Sequence, residues 1–105
     1  MKTCLRILIV LLAYSGSAHA LEGITGRVTR VEATGMPTWI KFTLDTGNAT
    51  CPAGGWVQWV NSSTDNNKAV YAMLTAALVS GKQIAFFFND GDTTCNGAFI
   101  HIVDM

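Results

Sequence analysis

The side chains that could do chemistry are few, and the sequence does not gather them into a catalytic pattern. After residue 20, His101 is the only histidine. A hydrolytic triad needs a nucleophile beside a histidine that a carboxylate orients, and nothing in the sequence places a nucleophile beside His101. We therefore predict that His101 is a strand residue at the edge of the core and that the protein is not an enzyme. A small secreted enzyme is the third alternative, and it would need a cleft with a perturbed acid, base or nucleophile.

The sequence also offers few side chains that could bind a metal ion. Asp90 and Asp92 lie in the segment NDGD, but the further spaced oxygen ligands and the terminal glutamate of a calcium-binding loop are missing. We predict a solvated turn there. Two thiols and one histidine make a poor metal site, so no metal and no cofactor are expected.

The tryptophans are the strongest candidates for contact with a ligand. Alternation in the segment TWIKFTLD places Trp39 and Lys41 on the outer face of a strand. An exposed indole offers a flat apolar face and a polar N–H, which suit a sugar ring or a partner protein. Trp56 and Trp59 point to opposite faces of one strand, so one of them belongs to the core. We predict a ligand-binding site formed by Trp39, Lys41 and Trp59. A cap over the end of the core, or a contact between subunits, is an equally good interpretation of Trp39.

The first 20 residues have the pattern of a secretory signal peptide. Lys2 and Arg6 accompany an apolar run from Leu5 to Tyr14, and Ala18-His19-Ala20 is a small-x-small cleavage sequence. We predict cleavage after Ala20 and export to the periplasm or the medium, without distinguishing the two. The apolar run is too short to span a membrane.

The cysteines fit an exported chain. Cys4 lies in the predicted signal peptide, which leaves Cys51 and Cys95 as an even pair. Oxidation to one disulfide is the simplest outcome in an oxidising compartment. Closing that loop would stabilise the fold by about 4 kcal/mol in the chain-entropy description.

Removal of residues 1–20 leaves 105 − 20 = 85 residues, enough for one small domain over residues 21–105. It also leaves 7 − 2 = 5 basic residues against 7 acidic ones, a net charge near −2. Proteins that bind nucleic acid use clustered Lys and Arg for phosphate contact. Because no basic run is present, we predict no nucleic-acid partner.

The segment Thr64–Lys82 is predicted to be a helix. Ser63, Thr64 and Asp65 offer oxygens for the free N–H groups of a first turn, and Gly81 supplies the left-handed stop. Helical periodicity gives one face that is expected to cover a sheet or barrel, formed by Val70, Met73, Leu74 and Ala77.

The outer face of this helix is almost uncharged after Lys68. Packing on a neighbouring subunit and simple exposure to solvent explain that face equally well. The residues predicted to contact another subunit are Tyr71, Ala72, Thr75 and Val79.

Segments 23–34, 38–45, 56–61, 83–88 and 98–103 are predicted to be strands. The alternation in the first of them changes phase, which predicts a bulge near Thr29 or Arg30. The fold class is therefore mainly β with one helix (α+β), a five-stranded OB-like barrel with the order β-β-β-α-β-β. An open antiparallel sheet with one helix across it is the alternative. In the barrel, the two cysteine-bearing loops lie at opposite ends, so a disulfide between them needs a long reach.

The stretch DNNKAVYAMLTAALVSGKQI, with cysteine-bearing loops on both sides, resembles small exported bacterial proteins of the toxin B-subunit type. These are the receptor-binding subunits of subtilase-cytotoxin and pertussis-like toxins. The chain is also similar to uncharacterised periplasmic proteins of Gram-negative bacteria. The toxin resemblance implies a ring of five subunits with the helices at the centre, which recognises sialylated or other host glycans.

Two functions of different classes follow from these observations. The first is a non-enzymatic secreted module that binds a host glycan or a protein receptor as a homo-oligomer, for which the toxin resemblance implies a pentamer. The second is a monomeric periplasmic domain with a structural or protein-interaction role. Saccharide binding that depends on exposed aromatic residues would distinguish the first from the second.

Overall fold

A computed structural model describes residues 21–104. The predicted signal peptide lies outside the described residues. The elements, in chain order, are β1 (Leu21–Glu32), β2 (Ile40–Leu44), β3 (Trp56–Trp59), α1 (Thr64–Ser80), β4 (Gln83–Asn89) and β5 (Phe99–Val103). Each one lies within two residues of its predicted bounds, so the predicted order of elements is confirmed. Within the described residues, no helix is long and apolar enough to cross a membrane.

The strands form one five-stranded sheet in the order β3-β2-β1-β4-β5, and every neighbouring pair is antiparallel. The sheet is open. Its two end strands are not joined by a ladder; a single parallel bridge pairs Gln58 of β3 with Asn96, just before β5. The predicted closed barrel is therefore not confirmed, and the described chain is an open antiparallel sheet with one helix.

The first strand serves both halves of the sheet. Its residues 21–27 pair with β4, and its residues 28–32 pair with β2. The register shifts between Val28 and Arg30, which confirms the predicted bulge. Because a bulge turns the side chains that follow it, Ile24 and Val28 are buried before the shift, whereas Val31 packs against the core after it.

The core lies between the inner face of the sheet and the buried side of α1. Alternate residues of β2 and β4 are fully or almost fully buried there: Ile40, Phe42, Leu44, Ile84, Phe86 and Phe88. Phe42 and Phe86 meet edge to face, with ring centres 5.3 Å apart, a geometry that aromatic quadrupoles favour. The inward side of β2 is the one that alternation predicts.

Both ends of α1 are capped as predicted. The backbone N–H of Asn66 donates to Ser63 Oγ at 3.2 Å. Gly81 adopts the left-handed conformation with φ 75°, and its N–H donates to the carbonyl of Ala77. Only glycine takes that conformation without steric cost. The buried side includes Val70, Leu74 and Ala77 as predicted, and Met73 is half-buried against the core.

A buried asparagine fixes where the helix begins. Asn67 is fully buried. Its Nδ2 donates to the carbonyl oxygens of Pro37, Thr38 and Asn61 at 2.8, 3.1 and 3.0 Å. Its Oδ1 accepts the N–H of Asn61 at 3.0 Å. One amide thus ties the first turn of α1 to the chain before β2 and to the chain after β3.

Candidate functional site

The outer face of β1, β2 and β3 carries side chains in rows across the strands. Register pairs Arg30 with Thr43, and Thr43 with Trp56. A second row pairs Glu32 with Lys41, and Lys41 with Gln58, in the same way. Cross-strand neighbours on one face approach closely enough to interact. The rows therefore bring two cations and an indole together, although these residues are far apart in the chain.

Arg30 reaches from β1 across β2 to β3. Its guanidinium carbon lies 4.4 Å from the ring centre of Trp56, a cation–π contact. On the way, Nε donates to Thr43 Oγ1 at 3.4 Å, and a terminal nitrogen donates to the carbonyl of Gly54 at 3.3 Å. Thr43 is fully buried on this outer face because Arg30 passes over it, and its hydroxyl is satisfied by Thr29 Oγ1 at 2.6 Å.

A second cation lies on a second indole. Lys41 Nζ is 5.2 Å from the ring centre of Trp39. Trp39 is half-buried and packs over Gly35, where any side chain would collide with its ring. The residue before Trp39 is held by the buried amide of Asn67. Lys41 and Trp39 are thus brought together as predicted, with the indole anchored at the start of β2.

A depression of about 140 Å³ is lined by Lys41, Trp56, Val57, Gln58 and Thr94, so that Trp39 and Arg30 adjoin it only through their contacts with Lys41 and Trp56. Thr94 comes from the loop between β4 and β5. Its backbone N–H and hydroxyl donate to Asp92 Oδ1 at 2.8 and 2.6 Å. These two hydrogen bonds hold the pKa of Asp92 below its ordinary value, and the bond from the hydroxyl has the larger effect. The predicted solvated turn thus holds one wall of the depression.

The charges on this face are two cations and one carboxylate, because Glu32 is in register with Lys41. Within residues 21–104, neither Arg30 nor Lys41 has a carboxylate oxygen within 4.0 Å, since the one salt bridge there joins Lys82 to Asp104. A carboxylate or sulfate that enters the depression would therefore meet cations that form no salt bridge there, with the carboxylate of Glu32 as the opposing charge beside Lys41.

The structure separates Trp59 from the predicted site. Trp59 is only 7% exposed and belongs to the core, and its Nε1 donates to Asn66 Oδ1 at 2.8 Å. Its ring is therefore not available to a ligand, and its place in the predicted site is corrected to Trp56, which is 45% exposed. Pairing with the outward-facing Thr43 is the signal that identifies Trp56, because partners across a ladder share a face.

The predicted disulfide joins Cys51 to Cys95, with Cα atoms 5.9 Å apart and both residues buried. The reach is short because the chain around Cys95 runs along the outer edge of β3. There, the N–H of Gln58 donates to the carbonyl of Cys95 at 3.0 Å, and the N–H of Gly97 donates to the carbonyl of Gln58 at 2.9 Å. The disulfide lies one residue from Thr94 and so fixes that wall of the depression.

The helix residues predicted to contact another subunit lie mostly at the surface. Val79 is 83% exposed, Ala72 and Thr75 are exposed, and Tyr71 is half-buried against the core. The Thr75 hydroxyl donates to the carbonyl of Tyr71 at 2.9 Å. Their contact with another subunit stays a prediction.

His101 is exposed on the outer face of β5, and its ring stacks on Phe87 with centres 5.7 Å apart. In the part of the chain that the structure describes, no three His, Cys, Asp or Glu side chains are grouped to hold a metal ion.

Comparison of the chain with protein-family models, with curated proteins and with solved structures finds no match. The resemblance to toxin B subunits therefore stays a prediction.

Proposed function

We propose that the protein is a non-enzymatic exported module that binds a saccharide carrying an acidic group, as a homo-oligomer of the toxin B-subunit type. One observation carries the proposal: two cations, Arg30 and Lys41, lie on two indoles beside an open depression. The ligand is a host glycan, and the protein is exported after cleavage of residues 1–20.

The indole of Trp56 supplies the apolar surface. It is 45% exposed even though Arg30 lies over its ring. The C–H faces of a pyranose pack on such a surface, and its hydroxyl groups need hydrogen-bonding partners at the rim. Gln58 and Thr94 line the same depression and offer an amide and a hydroxyl.

The acidic group of the ligand follows from the cations. Lys41 lines the depression, and Arg30 lies over the ring of Trp56, which lines it too. A guanidinium binds carboxylate or sulfate with two parallel hydrogen bonds, whereas an ammonium acts as a point charge. An acidic saccharide is therefore favoured over a neutral one of the same size.

The size of the depression limits how much ligand it holds. Its volume of about 140 Å³ is below the roughly 300–1,000 Å³ of sites that enclose a drug-sized ligand. It holds one sugar unit and leaves the rest of a glycan in solvent. Such a site binds weakly by itself, and linking several copies raises the effective affinity, which favours a homo-oligomer.

The proposed fold type is an OB-like barrel that is left partly open. The order of elements, the helix between β3 and β4, and the single parallel bridge from Gln58 to Asn96 support this assignment. In folds of this type, the face of the second and third strands and the loop between the fourth and fifth bind oligosaccharides. The depression lies on β2 and β3 with a wall from that loop.

A glycan array followed by titration of single sugars tests the proposal. We expect acidic glycans to bind, and we expect Trp56→Ala to abolish binding, with Trp39→Ala weakening it. Leu21→Ala is the matched control, because Leu21 is a large apolar residue that is 47% exposed and lies outside the depression. Monovalent sugars keep the titration independent of oligomeric state. Absence of any glycan response, or equal binding by Trp56→Ala, would contradict the proposal and favour a domain that interacts with proteins.

A further inference from the structure

The last strand has the composition of a core strand but the exposure of a surface strand. Four of the five residues of β5, FIHIV, are apolar, the fifth is His101, and none of the five is buried. Its neighbour β4 is buried at four of seven positions. Phe99 is 59% exposed and Ile102 is 39% exposed. Exposed apolar residues concentrated on one strand indicate an interaction surface.

This strand also lies at the end of the sheet. Within residues 21–104, no strand pairs with the outer edge of Phe99–Val103. Soluble proteins protect such edges with lysine, proline, a bulge or a covering segment. β5 has no lysine or proline, and its register with β4 runs without a shift. The edge is therefore ready to form another ladder.

We infer that the outer edge of β5 is where two copies of this chain pair, antiparallel and about a two-fold axis at His101. The inference rests on the homo-oligomeric part of the proposed function and makes that oligomer a two-fold pair of chains, in place of the ring of five that the toxin resemblance implies. It does not depend on the saccharide part, which a titration with monovalent sugars tests separately.

A second copy fits this edge because the strand is complementary to itself. With the axis at His101, Phe99 pairs with Val103 of the other copy, and Ile100 pairs with Ile102. This is the one antiparallel register in which all five residues are paired. Apolar side chains then meet apolar side chains in four of the five pairs, and in the central pair His101 meets its own copy.

The other end of the sheet is a poor partner for β5. The outer edge of β3 is already occupied at Gln58, whose N–H and carbonyl bond to Cys95 and Gly97 of the same chain. With four residues, β3 has little edge left for another ladder. A head-to-tail contact of β5 with β3 of a neighbour is thus blocked, and the symmetric pair remains.

Exposed residues outside β5 can supply the rest of the area that a stable contact between two copies needs. Stable interfaces bury about 1,200–2,000 Å² in total, which is more than two five-residue strands supply. Leu78 and Val79, in the last turn of α1, are 42% and 83% exposed. They precede Lys82, which with Ile102, Val103 and Asp104 lines a groove of about 250 Å³. Covering this groove and Phe99 extends the contact on both faces of the sheet.

Substitutions that introduce a charge at position 101 test the pairing of the two copies. The neighbours of His101 on β4 are Gln83, Ala85 and Phe87, so a charge at position 101 opposes no charge in its own chain. Across the axis, it faces its own copy at about 5 Å. We would measure the mass of the oxidised protein, and of His101→Lys and His101→Glu, by light scattering over a concentration series. Thr25→Lys is the matched control, since Thr25 lies in the same cross-strand row.

We expect the protein and Thr25→Lys to have the mass of two chains, and each His101 variant to fall to one chain. An equimolar mixture of the Lys and Glu variants is expected to regain the two-chain mass. If the charged variants fail to fold, His101→Cys replaces them and is expected to give a cross-linked dimer under oxidising conditions. A one-chain or five-chain mass of the unaltered protein would overturn the inference. So would a mixture that stays at one chain, or a His101→Cys variant that does not cross-link.

Discussion

The guanidinium carbon of Arg30 lies 4.4 Å from the ring centre of Trp56, two strands away on the same face of the sheet. The contact explains why Thr43, between them, is fully buried although it points outward. It also orients the exposed indole that forms the edge of the depression. One side chain thus links the register of three strands to the surface on which we propose a saccharide binds.

Replacement of Arg30 by alanine is expected to cost little stability and much affinity. An exposed cation–π contact contributes about 0.5–1 kcal/mol, so the free energy of unfolding in urea should fall by about 1 kcal/mol. Binding of an acidic saccharide should weaken by roughly tenfold, the loss of one charge-assisted contact. Neutral sugars serve as the control ligands; an equal loss for both kinds would assign Arg30 a structural role only.

Asn67→Ala is expected to be the most destabilising single change among the polar residues of α1. It removes four hydrogen bonds and leaves the backbone groups at Pro37, Thr38 and Asn61 without them. Buried groups left unpaired cost about 1–3 kcal/mol each, so we expect a loss of about 3 kcal/mol in chemical denaturation. Asn89→Ala, at an exposed position, is the control and should change stability by less than about 0.5 kcal/mol.

Loss of the disulfide is expected to affect stability and binding together. Cys51 and Cys95 are 44 residues apart, and opening a loop of that length costs about 4 kcal/mol in the chain-entropy description. Thermal unfolding of the double alanine variant, and of the protein with and without reductant, measures this loss. Because Thr94 adjoins Cys95, saccharide affinity should fall even at temperatures where the variant stays folded. Unchanged affinity would show that the loop holds its place without the disulfide.

The turn at Asp92 is expected to loosen in acid. Hydrogen bonds from Thr94 lower the pKa of Asp92 below the ordinary 3.8. A group whose pKa is lower in the folded state stabilises that state above its ordinary pKa, and this contribution disappears as the pH falls through the lowered value. The amide proton signal of Thr94 should therefore shift in that range below pH 3.8. The same signal should not titrate in Asp92→Asn, and a matching titration in that variant would assign the shift to another group.

Local signals in the sequence predicted most of the fold. The caps of α1 depend on Ser63 and Gly81, and the bulge at Thr29–Arg30 follows from a change of phase, so both could be read from neighbouring residues. The inward side of β2 likewise follows from alternation. These features are set by short-range geometry, which sequence patterns record directly.

The remainder depends on contacts between distant segments. Alternation shows that Trp56 and Trp59 face opposite ways, but only pairing with Thr43 shows that Trp56 is the outer one. To predict the contact of Arg30 with Trp56, one would need to know how β1, β2 and β3 pair after the bulge in β1. The bonds of Asn67 join residues 29 and 30 positions apart, and closure of the sheet would need pairing between β3 and β5, which are also far apart in the chain. No local pattern in the sequence carries this information.

The most direct test of the account follows the indole N–H signals of the three tryptophans by NMR while an acidic saccharide is added. Trp59 is an internal control, because its N–H is bonded to Asn66 within the core. We predict that the Trp56 signal, assigned with Trp56→Phe, shifts with saturating dependence on the sugar, that Trp39 shifts less, and that Trp59 stays in place. No shift of Trp56 with any acidic saccharide that the array selects, or equal shifts of all three signals, would contradict a binding site at Trp56.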